Sequence, residues 1–191
     1  GQVAALRRLL ELGGQRLDAK AMHQLLNFEG KGKEKWPLPL HMAVKLARLD
    51  CVKLLLEHKA EICSKAERTP PLQLAVGLAE ADDEGKKLKA DMLGALLAAA
   101  EAEPKGPGPV LAQPDPQSSF TALHLAAQSQ SSLALEALLR CLAGLGEDQR
   151  NSLLEAKNGD RQTALHLAVQ HRGEGRQGAV EALLAAGADP T

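Results

Sequence analysis

The string Phe120-Thr121-Ala122-Leu123-His124-Leu125-Ala126-Ala127 returns almost unchanged as Gln162-Thr163-Ala164-Leu165-His166-Leu167-Ala168-Val169. Leu38-Pro39-Leu40-His41-Met42-Ala43-Val44 is a looser copy, and Pro70-Pro71-Leu72-Gln73-Leu74-Ala75-Val76 a more altered one. Recurrence of this kind constrains a chain strongly. It implies supersecondary units that cannot bury their apolar sides alone and must stack on one another.

Each copy is followed by an apolar triplet at offsets 0, +3 and +4, the spacing that sets three side chains on one helical face. The triplets are Val52/Leu55/Leu56, Leu93/Leu96/Leu97, Leu135/Leu138/Leu139 and Val180/Leu183/Leu184, while a fifth, Leu6/Leu9/Leu10, has no opening string before it. Val52 follows His41 and Leu135 follows His124 by the same 11 residues, an interval that fits a short helix, a turn and a longer helix.

These residues resemble the ankyrin repeat, whose period is about 33 residues and whose signature is Thr-Pro-Leu-His-x-Ala. The match is specific in the last unit, where Val180-Glu181-Ala182-Leu183-Leu184 runs on into Gly187-Ala188-Asp189, similar to the family's second helix and its exit. The resemblance implies an all-α ankyrin-repeat solenoid of stacked helix-turn-helix units with finger loops. As a single domain over 1–191 it would comprise a half repeat at 1–13, an insert at 14–35, repeats at about 36–66, 67–103, 118–157 and 158–191, and a Pro-rich insert at 104–117.

The copies depart from the pattern at identifiable places. Leu38 stands where the family has Thr, so the side-chain bond that Thr makes to the helix start is expected to be missing. Pro39 follows, at a first helical position where its absent N–H costs nothing. Gln73 replaces the His of the other units, and Leu93 follows it by 20 residues, which places about nine extra residues within Ala79–Lys89 as a helix extension or ordered loop. Residues 103–119 hold five prolines and two further glycine positions, so regular structure is not expected there. A short helix is expected within Ala21–Phe28, a helical turn at Ser152–Glu155, a hairpin tip at Asn158-Gly159, and a wider inter-helix turn at Gly173–Gly175. Since the apolar face of 1–13 needs a preceding helix, the chain is expected to be a monomeric fragment of a longer protein.

Composition narrows the function classes. A hydrophobic fraction of 45% with two Phe, one Trp and no Tyr means a core of Leu, Ala and Val. The formal net charge of −1 offers no global field for nucleic acid or an acidic membrane. No apolar run is long enough to span a bilayer, and the three cysteines read as free thiols of a reducing compartment, which places the chain in the cytoplasm, with the nucleus as the alternative.

No constellation carries catalysis, metal or cofactor. His41, His124 and His166 occupy one repeat position each and would be spaced along the stack, and the resemblance implies that they bond within and between units. Cys51, His58 and Cys63 lack zinc-ligand spacing, Cys141 reads as core, and Glu80, Asp82, Asp83 and Glu84 read as a solvated acidic face. The resemblance then implies a non-catalytic module that binds another protein or peptide through its hairpin tips and concave helix face. Carried onto this chain, those positions are Trp36, Leu46, Arg48, Leu49, Glu67, Arg68, Leu78, Gln128, Gln130, Asp160, Arg161, Gln170 and Arg172. Alternatives are a targeting or regulatory arm of a larger enzyme or channel, a transcription-factor binder resembling the NF-κB inhibitors, and a host-directed effector domain.

Overall fold

The structure is a computed structural model that describes residues 2–27, 38–63, 69–170, 173 and 175–190. Among the described residues every regular element is helical. Four helical hairpins follow the four strings: α3 (Pro39–Lys45) with α4 (Leu49–Glu57), α5 (Pro71–Val76) with α6 (Asp83–Glu101), α8 (Ala122–Ser129) with α9 (Ser132–Ala143), and α11 (Ala164–Gln170) with α12 (Arg176–Ala185). Ahead of them come α1 (Gln2–Arg16) and α2 (Ala19–Leu26), and two short helices, α7 (Gly108–Ala112) and α10 (Glu147–Leu154), fall between hairpins.

The hairpins stack in sequence order. The first helices make one row, α3 on α5, α5 on α8, α8 on α11, and the second helices make the other, α1 on α4, α4 on α6, α6 on α9, α9 on α12. With α1 in the second row, residues 2–16 stand where the back half of a unit belongs.

Local chemistry explains the helix starts. Asp18 and Asp82 cap α2 and α6 by accepting the Ala21 and Gly85 amides at 2.7 Å, and the Ser131 hydroxyl accepts the Ala134 amide at 3.1 Å to cap α9. Leu38 makes no side-chain cap, as its apolar side chain dictates, and Pro39 and Pro71 take the first position of their helices. The ends are as regular. Ala188 and Gly187 donate back to Leu183 and Leu184, with Gly187 left-handed at φ 98°, and Ala60 and Lys59 repeat this on Leu55 and Leu56, with Lys59 at φ 61°.

The core is the expected seam of leucine and alanine. Val52, Leu93, Leu96, Ala126, Ala134, Ala168 and Leu183 are wholly shielded from solvent. Exposure within the triplets separates their two leucines. In the first, Leu10 (+4) is buried and Leu9 (+3) is 53% exposed; in the last, Leu183 (+3) is buried and Leu184 (+4) is 43% exposed. The +3 side chain thus turns toward the preceding unit and the +4 side chain toward the following one, and each is exposed where that neighbour is absent from the stack.

The inserts are more ordered than their composition predicts. The extra residues of unit three lengthen α6 at its front. Residues 103–119, expected to lack regular structure, contain α7, with Pro109 in its first turn and Val110 and Leu111 buried. Proline is compatible with a first helical turn, and two adjacent apolar side chains then anchor that turn on α8 and α10. The turn expected at Ser152–Glu155 is the end of the longer α10, whose Leu154 is 1% exposed.

Candidate functional site

Two kinds of surface emerge from this stack, the hairpin tips and the exposed ends of the first helices. The tips are built from side-chain caps on backbone turns. Asn158 donates its amide to the Gln162 carbonyl at 2.9 Å, and its Oδ1 accepts the Asp160 and Gln162 amides at 3.0 and 2.8 Å. Asp115 closes the preceding tip in the same way, donating to Phe120 O at 2.7 Å and accepting the Gln117 and Ser118 amides at 3.0 Å. Ser119 and Arg161 sit at the left-handed position of each tip, with φ 58° and 62°.

The tips are tied to one another. Thr69, at the foot of unit three, donates its hydroxyl to Asp115 Oδ2 at 2.7 Å, and Gly159 lies against Ser118 and Ser119 of the preceding tip. Burial pushes the Asp115 carboxyl upward, but the Thr69, Ser118 and Gln117 donors outweigh it and hold the group below its ordinary value. Asp160 and Arg161 project from this braced turn and are exposed.

The histidine position fixes how unit meets unit. Thr121 donates its amide to His124 Nδ1 at 3.2 Å, which makes Nδ1 an acceptor and leaves the proton on Nε2, 3.0 Å from Gln162 O in the following unit. Burial lowers the His124 imidazole below its ordinary value, against the carbonyls of Gln162 and Ala156. Gln73 does the same work by other means. Its Nε2 donates to Phe120 O at 2.9 Å, the carbonyl that corresponds to Gln162 O, and to Gln113 O at 2.7 Å. His41 is buried and His166, on the last unit, is exposed with Nδ1 2.8 Å from Thr163 Oγ1. The imidazoles are therefore spread along the stack, and among the described residues no group of His, Cys, Asp and Glu side chains could hold a metal ion.

Because equivalent helices stack, equivalent positions line up. Four residues beyond the histidine position stand Lys45, Gly77, Gln128 and Gln170, and all four are exposed. Beside them Leu46 is 58% exposed and Arg48 is exposed, whereas Leu49 and Leu78 are half-buried against the core. Gln130 is also half-buried: it takes a left-handed conformation at φ 52°, and its side chain fills the space that a Cβ on Gly173 or Gly175 would need. Trp36, Glu67, Arg68 and Arg172 lie outside the described residues.

One element of the acidic run is not a solvated face. Glu80 accepts a 2.7 Å bond from Lys89 Nζ, which is almost fully buried, and a 2.5 Å bond from the Ser131 hydroxyl. Burial raises the Glu80 carboxyl, but the Lys89 and Ser131 donors prevail and hold it below its ordinary value. The network clamps the loop after α5 to the start of α9, while Asp82, Asp83 and Glu84 stay exposed. Cys51, Cys63 and Cys141 are free thiols. Burial, then Glu101, pushes the Cys141 thiol up to about 11, so it is protonated and not a nucleophile at neutral pH.

A row of braced tips above a two-layer helical stack is the form of a repeat protein. Residues 87–191 match the family described as ankyrin repeats (3 copies), and residues 38–67 match the ankyrin repeat. The chain belongs to the ankyrin repeat family. Among solved structures, the crystal structure of the ankyrin repeat protein EF0377 is similar at a TM-score of 0.59 and 20% identity, covering 94% of this chain and 81% of that one, a likeness of fold. No curated protein matches the chain. Ankyrin repeats are generally protein–protein interaction modules and typically non-catalytic. Among the described residues no helix is long and apolar enough to cross a membrane.

Proposed function

We propose that this chain binds another protein or peptide through its hairpin tips and the exposed first-helix row, without catalysis and without a cofactor, in the cytoplasm. The observation that carries the reading is the alignment of exposed positions Lys45, Gly77, Gln128 and Gln170 along the stacked first helices, with Leu46 and Arg48 exposed beside Lys45 and Asp160 and Arg161 at a tip fixed by Asn158. Arg48 is of a residue type that binding hot spots favour, and the exposed Leu46 nearby supplies apolar surface beside it. A rigid scaffold limits the ordering cost of association.

The reading is tested by placing a photo-cross-linking amino acid singly at Gln128, Gln170, Asp160 or, on the other side, Glu136. Cross-links to one and the same protein from the first three positions, lost on Leu46→Ala and Arg48→Ala, are the expected result. A partner captured only from Glu136, or a purified chain that turns over a substrate, would count against it.

A further inference from the structure

The insert helix α7 creates a surface that a regular stack of hairpins does not have. A groove of about 400 Å³ lies on one side of it, floored by Ile62, Pro104 and Val110, and one of about 480 Å³ lies on the other, walled by Ala112 and Leu153. Pro109 and Lys105 line both, so the two grooves are neighbours across a single helical turn. Ile62 and Val110 are buried at the base of the first groove, 3% and 4% exposed.

The rim is acidic. Glu61 and Glu103 edge the first groove and Asp148 the second, all exposed, and among the described lining residues only Lys105, between them, carries a positive charge. Glu61 faces His23 at 3.3 Å, also at the surface. We propose that the α7 edge is a second docking surface, distinct from the tips, for a partner segment that carries apolar side chains flanked by lysine or arginine. Two apolar grooves side by side accept two apolar side chains, and the three carboxylates to one ammonium among the described lining residues select cationic flanks and repel anionic ones. Cys63 reports the field inside the first groove: burial raises its thiol, and Glu103 and then Glu61 raise it further.

The test uses the whole chain, labelled with nitrogen-15, and two synthetic peptides with alternating leucine, one flanked by lysine and one by glutamate. The lysine peptide is expected to shift the amides of Ile62, Cys63, Gly106 and Leu153, and the glutamate peptide to shift none. Glu61→Gln, Glu103→Gln and Asp148→Asn combined are exposed changes that leave the fold intact. They should weaken the lysine peptide about tenfold, since each rim charge contributes only a few-fold, and Lys105→Gln should tighten it. Equal binding of both peptides, shifts confined to the Gln128 and Gln170 row, or no shift at millimolar peptide would each overturn the proposal.

Discussion

Replacing Gln73 by the histidine of the other units should weaken the protein, although it restores the repeat pattern. In unit four the His124 Nδ1 is satisfied by Thr121, which offers both an N–H and a hydroxyl. The residue at that place in unit three is Pro70, which has neither. A histidine at 73 can still reach Phe120 O through Nε2, but its Nδ1 is desolvated without a donor, and the Gln113 carbonyl loses the 2.7 Å bond that Gln73 now makes. The parent already buries Gln73 Oε1 without a partner among the described residues, so an unpaired Nδ1 adds little to what is desolvated, and the net cost is that of the lost hydrogen bond, about 1 kcal/mol.

Urea denaturation followed by far-ultraviolet circular dichroism measures this directly. For a chain of this size the urea slope is roughly 2–3 kcal/mol per molar, so Gln73→His should lower the midpoint by about 0.3–0.5 M. The pair Pro70→Thr with Gln73→His should recover part of the loss, because the threonine supplies the donors that Nδ1 needs, giving a favourable coupling of about 1 kcal/mol in a double-mutant cycle. A midpoint for Gln73→His equal to or above that of the parent, or strict additivity of the two changes, would refute the account of why glutamine stands at this position.

Removing Glu80 as alanine should destabilise by about 3 kcal/mol, because it leaves the Lys89 ammonium buried and unpaired, whereas Lys89→Met should cost less, because the Glu80 carboxylate is partly exposed and keeps the Ser131 hydroxyl; thermal melts of the two variants decide it. Glu80 and Asp115 both have folded-state values below their ordinary ones, so their stabilisation is complete above about pH 5 and is lost as pH falls through the folded values. Urea midpoints measured from pH 6 to 2.5 should therefore drop on the acid side, and less steeply for Asp115→Asn. Arg161→Gly should gain about 0.5–1 kcal/mol by relieving the left-handed φ of 62°, while weakening partner binding if Arg161 contacts it, so a melt and a binding isotherm on the same variant move in opposite directions. Ala127 and Val169 hold the same repeat position, the first at 0% and the second at 54% exposure; Ala127→Leu should cost about 1–3 kcal/mol by overpacking and Val169→Lys less than about 0.5 kcal/mol, by calorimetry.

The stacked hairpins were legible because each string couples a fixed spacing to a fixed role, and the roles are local: a cap, a first turn, an apolar face. What was not legible depends on partners distant in sequence. Nothing in the sequence marks Lys89 as buried, because its partner Glu80 lies nine residues before it and the second donor to Glu80, Ser131, lies 51 residues beyond Glu80. The α7 helix was hidden by its prolines, since Pro107 and Pro109 signal a break wherever they are not read as the first turn of a helix, and the pair Val110-Leu111 was the signal available for that second reading. Gln73 looked like decay of the motif, whereas Pro70, three residues earlier, removes the donors that a histidine there would require.

Position in the stack also decides what a repeated residue can do, and this bears on where binding occurs. His124 and His166 share a sequence setting and the same bond to the threonine three residues before, yet the first spends its Nε2 on the next unit's carbonyl and the second is exposed. Residues that link units, such as His124, Gln73 and Asp115, are consumed by the stack, so a partner meets the positions those links leave over. Those positions form two sets. One set repeats with the units and lies along the first helices; the other, around α7, arises only where an insert interrupts the repetition. On the two docking readings proposed above, a partner at the first set meets positions that recur with the units, whereas one at the α7 edge meets residues that the repetition does not supply, so substitutions at Arg48 and at Glu103 should separate the two.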